Sequence, residues 1–143
     1  MKVTAAVASA AVVVVCAAPL GEAAVQARGS AFLLPSRNIA CLYLPAARSI
    51  GPASLRCDIL SGLRPEPRRR CELDWTGVAM RAGTRAAPQC AGDTVYDRSA
   101  PVLRYGRSWH RGAFRCVSRR AGLTCRNAAG HGFFLARTRW RTW

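Results

Sequence analysis

Six cysteines, at Cys41, Cys57, Cys71, Cys90, Cys116 and Cys125, constrain this chain more than any other feature, and a seventh, Cys16, lies within an apolar N-terminus. An even set downstream of an export signal reads as a disulfide framework in a protein that works outside the cytosol. Residues 1–27 have the layout of a cleavable signal peptide. Lys2 supplies the positive end, Val3 to Ala18 is uncharged and almost wholly apolar, and Pro19 and Gly21 break the helix. Val25-Gln26-Ala27 offers small residues at the usual positions, so cleavage is expected after Ala27. A retained membrane anchor is the alternative, but a spanning helix needs ~20 apolar residues and this run has sixteen. A lipoprotein acylated at Cys16 is a further alternative, disfavoured by the bulk of Val15.

Residues 28–143 then form one domain of 116 residues. A chain of that length buries roughly two-thirds of its unfolded surface, so the disulfides brace a core and do not replace one. No second long apolar run exists, and no integral membrane segment is expected in the mature chain.

Short strand signals recur between Gly, Pro and Ser punctuation: Asn38–Leu44, Ser54–Leu60, Cys71–Met80, Val102–Tyr105, Ala113–Ser118, Leu123–Asn127 and Phe133–Arg137. In the third, Cys71, Leu73 and Trp75 alternate with Glu72, Asp74 and Thr76, the period of a strand with one face turned inward. No stretch sustains a helical period. The expected fold is all-β, a small disulfide-stapled sandwich or partly closed barrel of about seven short strands. Phe114–Ser118 and Leu123–Arg126 flank Arg119-Arg120-Ala121-Gly122, a hairpin loop that sets Cys116 opposite Cys125. Directly opposed strand residues lie within disulfide reach. Neighbour pairing, 41–57, 71–90 and 116–125, follows from the short loops it closes.

The charge is lopsided. Residues 28–143 hold 21 Arg, no Lys and six acids, a balance of +15. Codon bias accounts for Arg over Lys but not for Arg over Asp and Glu. All six acids fall between Asp58 and Asp97, while Arg98 to Trp143 carries eleven Arg and no acid, interleaved with aromatics. Such a surface attracts polyanions by steering and counterion release, and guanidinium forks pair with phosphate or carboxylate. The candidate binding residues are Arg119, Arg120, Arg126, Arg139 and Trp140. The expected partner is an anionic cell-envelope polymer or a protein, and a nucleic acid is disfavoured.

Catalytic patterns are sparse. His110 and His131 are the two histidines, the minimum an acid–base nuclease needs, and a small secreted hydrolase using them is the alternative function. Glycines around His131 favour a turn. No Gly-x-Ser-x-Gly occurs, and oxidised cysteines leave no thiolate for catalysis or zinc. The acids lack the close spacing of a calcium site. No metal, cofactor or catalytic residue is expected. Asp93-Thr94 fits an Asx-capped turn. Arg64 to Arg70, a braced basic loop, would suit a secreted inhibitor, the third reading; its Arg68-Arg69-Arg70 run would also suit processing.

Several strings together resemble a known family. These are Pro35-Ser36-x-Asn38-Ile39-x-Cys41, Leu55-Arg56-Cys57-Asp58-Ile59, Asp74-Trp75, Cys90-x-Gly92-Asp93-Thr94, Phe114-x-Cys116, Gly122-Leu123-Thr124-Cys125-x-Asn127 and Gly130-His131-Gly132-Phe133. Over residues 32–137 the chain resembles a domain-of-unknown-function family of small secreted or lipid-anchored actinobacterial proteins. The resemblance implies export, disulfides and a compact β domain, and no established catalytic residues. Arg37 stands where the resemblance leads one to expect Gly, and the Arg- and Trp-rich tail from Arg137 is a second departure.

Overall fold

The computed structural model describes residues 30–143, so the leader, its cleavage point and Cys16 lie outside the described residues. The described chain forms ten strands and no helix: β1 (Ser30–Leu33), β2 (Ile39–Leu44), β3 (Ser54–Ile59), β4 (Asp74–Arg81), β5 (Ala87–Ala91), β6 (Ser108–Arg111), β7 (Phe114–Arg119), β8 (Gly122–Asn127), β9 (Gly132–Ala136) and β10 (Arg139–Thr142). They make two five-stranded antiparallel meanders, β1-β2-β3-β4-β5 and β10-β9-β8-β7-β6. Neither sheet closes on itself, so of the two expected architectures the sandwich is the one present.

The strand count differs from the expected seven. The six interior strands were anticipated. The four missed ones, β1, β5, β6 and β10, are the four sheet edges. Val102–Tyr105 is not a strand; only Val102 makes a parallel bridge, to Leu33. β4 starts at Asp74, leaving Cys71 to Leu73 in the preceding loop.

Inward-facing rows run across each sheet. In the first, Phe32, Cys41, Cys57, Val78 and Pro88 are successive register partners. In the second, Trp109, Cys116, Cys125, Phe133 and Thr142 hold the same places. Leu55 opposite Met80 is matched by Leu123 opposite Leu135. Gly77 sits beside the cysteine row in one sheet and Gly132 in the other, each where a Cβ would strike a cysteine carbonyl, of Cys57 and Cys125 respectively. The two sheets are therefore two copies of one pattern, packed face to face with their cysteine rows in a shared core. Burial of Phe114, Phe133, Leu55, Leu123 and Leu135, all at 0 % exposure, supplies the main cohesion.

The expected disulfides are all present: Cys41–Cys57, Cys71–Cys90 and Cys116–Cys125. The first and last join directly opposed residues, with Cα separations of 4.0 and 4.1 Å. The hairpin register matches expectation, although Arg119 also pairs with Gly122 and tightens the loop to Arg120-Ala121. Between the sheets, buried Asn127 donates through Nδ2 to the carbonyls of Arg81 and Thr84 at 3.1 and 2.8 Å. Its Oδ1 accepts from the amides of Ala129 and His131. Arg37 has φ +54°, the left-handed conformation that favours glycine.

Candidate functional site

Side chains alternate across a strand, so inward Cys116 and Cys125 send their neighbours to the opposite face. On that outer face of the second sheet, His110, Arg115, Arg126 and Gly132 form one cross-strand row. Trp143 extends it, exchanging two backbone bonds of 3.0 Å with Gly132. A parallel row contains Ser108, Val117, Thr124, Phe134 and Arg141. Arg119 and Arg139 flank a third position, where Gly122 and Ala136 are small. All five of these arginines are exposed.

Two aromatic rings reach over glycines on this face. A Cβ at Gly122 would come 2.8 Å from the Phe134 ring, and one at Gly132 would come 2.8 Å from the Trp143 ring. Each ring carries a guanidinium. Arg139 lies 5.2 Å from the Phe134 centroid, and Arg126 and Arg141 lie 5.1 and 5.3 Å from the Trp143 ring. Arg120, in the β7–β8 turn, sits 5.5 Å from Tyr105. Cation–π contact of this kind fixes a flexible side chain and leaves its N–H edge free for an anion.

Of the sequence candidates, Arg119, Arg126 and Arg139 thus share one surface, with Arg120 at its end. Trp140 does not join them. It faces the opposite side, packs against the core and donates its indole N–H to the Pro65 carbonyl at 2.7 Å. That bond pins the Arg64–Arg70 loop, whose Arg68, Arg69 and Arg70 are exposed. Arg115 and Arg141 were missed as candidates. His110 and His131 are not brought together. His110 lies on β6 and His131 just precedes β9, three strand spacings away, about 14 Å. The backbone of His131 closes a turn with Asn127, its amide on Asn127 Oδ1 and its carbonyl accepting from Asn127 N.

A second concavity has the opposite sign. A cleft of about 530 Å³ is lined by Asp58, Glu66, Asp74, Asp93, Leu63 and Trp75, among others. Its buried acid is already satisfied. Asp58 accepts from Arg56 Nε and Nη2, each at 2.9 Å, and from the Val95 amide at 3.0 Å. Arg56 also reaches Asp93 Oδ1 at 2.9 Å. Asp93 therefore pairs with an arginine, while its neighbour Thr94 caps the turn, its Oγ1 accepting from the Tyr96 amide at 3.2 Å; Asp97 forms an Asx turn with Ser99. Burial works against the Arg56 charge, but hydrogen bonds to Asp58 and Asp93 hold its pKa above the ordinary value. The hydrogen bond from Arg56, and then its charge, hold the Asp93 carboxyl low.

The described residues contain no cluster of His, Cys, Asp and Glu able to hold a metal ion. No helix among them is long and apolar enough to cross a membrane. No curated protein and no solved structure matches the chain. A family model described as a family of unknown function, DUF6636, matches residues 10–142. Since that match spans nearly the whole sequence, the chain belongs to the DUF6636 family of unknown function.

Proposed function

We propose that this is an exported, non-enzymatic module that binds an anionic polymer through the outer face of its second sheet. The observation that carries the reading is the set of exposed guanidiniums at Arg115, Arg119, Arg126, Arg139 and Arg141 on one face, three of them held on aromatic rings. No acid occurs from Arg98 to Trp143 to neutralise them. Three disulfides are compatible with an extracellular setting. The wide separation of His110 from His131 argues against their acting as one acid–base pair.

Retention of the oxidised protein on immobilised polyphosphate and polyglutamate, over a salt series, tests the reading. Binding falls linearly in log–log form, with a slope of about 0.7–0.9 per neutralised phosphate. Arg119→Gln and Arg139→Gln each lower the slope by about one contact, whereas Arg48→Gln, at the exposed Arg48 of the connection between β2 and β3, leaves it unchanged. Retention that is weak at low salt and indifferent to these substitutions would dismiss the proposal.

A further inference from the structure

The repeat between the two sheets isolates one row of the basic face. His110, Arg115 and Arg126 hold the places that Leu33, Ala40 and Asp58 hold in the first sheet, because each set flanks its own aromatic–Cys–Cys row. In the first sheet the row is closed by the chain itself. Leu33, Ala40 and Asp58 are exposed by only 0, 1 and 1 %. Val95, Tyr96 and Ala100 pack on the first two, and Asp58 is filled by Arg56 and the Val95 amide. In the second sheet no segment of the described residues covers the row, and its residues are exposed.

Its charge arrangement is unfavourable without a ligand. Arg115 and Arg126 are direct cross-strand partners, about 5 Å apart at Cα, and like charges so placed destabilise a sheet. His110 is the next partner of Arg115. No acid of the described chain forms an ion pair with any of the three. These residues, with Ser108 and Asn127, line an open cleft of about 600 Å³.

We infer that the His110–Arg115–Arg126 row is a discrete oxyanion site that takes a phosphate group of a linear phosphodiester or polyphosphate chain. The inference rests on the polyanion reading above and locates one anchoring point within it. Arg115 and Arg126 straddle the phosphate, each offering a charged fork, while Ser108 and His110, which line the same cleft, add further donors. The ligand's anions are read and not its rings, because the faces of Phe134 and Trp143 already carry guanidiniums.

The test compares wild type, Arg115→Gln, Arg126→Gln and the control Arg48→Gln, by thermal unfolding at constant ionic strength with sodium chloride or pyrophosphate. Wild type and the control gain Tm with pyrophosphate. Arg115→Gln equals or exceeds wild type in Tm without ligand, since a like-charge neighbour is gone, and loses the pyrophosphate gain. Its polyphosphate affinity falls at least about tenfold. A Tm loss in ligand-free Arg115→Gln, or an intact pyrophosphate response, overturns the site. Single-stranded DNA bound more tightly than polyphosphate of equal charge overturns the anion-only reading. Binding to phosphatidylglycerol vesicles without binding to polyphosphate overturns the polymer. If polyphosphate retention survives Arg115→Gln yet fails in Arg119→Gln, this site falls while the broader reading stands. If wild type is not retained at all, both fall.

Discussion

Arg56 is the one described arginine that bridges two carboxylates, buried Asp58 and exposed Asp93. Its removal strands Asp58 inside the protein with the Val95 amide as its remaining donor. Arg56→Ala should cost about 3 kcal/mol, lowering Tm by about 10 °C or more; a Tm within a few degrees of wild type would contradict this. Asp93 gives the pair a pH dependence. Its folded pKa lies below the ordinary 3.8, so its contribution is full above that value and disappears as pH falls through the lower folded one. The Tm gap between wild type and Asp93→Asn should therefore be open at about pH 6 and close toward about pH 2, as read by thermal melts. At this scale the sequence spoke unevenly. The acids were visibly grouped, but nothing local announced that Arg56 would span 37 positions to reach Asp93. Arg115, by contrast, was readable. Once Cys116 is turned inward, period-2 alternation sends Arg115 outward with Arg119.

At the scale of elements, the interior strands were legible because each is paired on both sides and turns one face into the shared core, which sets apolar residues at alternate positions. Edge strands lack that pressure. β5 carries Pro88, β6 carries His110 and Arg111, and β10 carries Arg139 and Arg141, the features by which edges avoid pairing with other molecules. They also make an edge look like a loop. Val102–Tyr105 misled for the converse reason, as an apolar run that serves one bridge and a cover over β1. The central ladders impose a sharper condition. Gly132 lets β8 and β9 approach so closely that a Cβ would sit 2.3 Å from the Cys125 carbonyl, and Gly77 does the same against Cys57 at 2.0 Å. Gly132→Ala and Gly77→Ala should each lose about 2–4 kcal/mol in urea unfolding. A loss under about 1 kcal/mol at either would show that the backbone can move apart.

For the whole molecule, the repeat was present in the sequence as Leu55-x-Cys57 against Leu123-x-Cys125 and Gly77-Val78 against Gly132-Phe133. No long stretch is alike; only residues at and beside the cysteine row match, while the outer faces differ, one covered by its own loop and the other exposed and cationic. Opposite outer faces on matched sheets are what make a basic surface interpretable as more than composition. The cysteine pairing has a consequence in terms of connectivity. Two bridges close within the first sheet's half and one within the second's, and none crosses between them. The covalent graph is therefore two knots on a single thread, residues 92–107. A protease site introduced at Arg98–Ser99, on the exposed turn, should yield a product that migrates as one species on a native gel and as two on a denaturing gel without reductant. One cut would turn a single chain into a heterodimer held by its core alone.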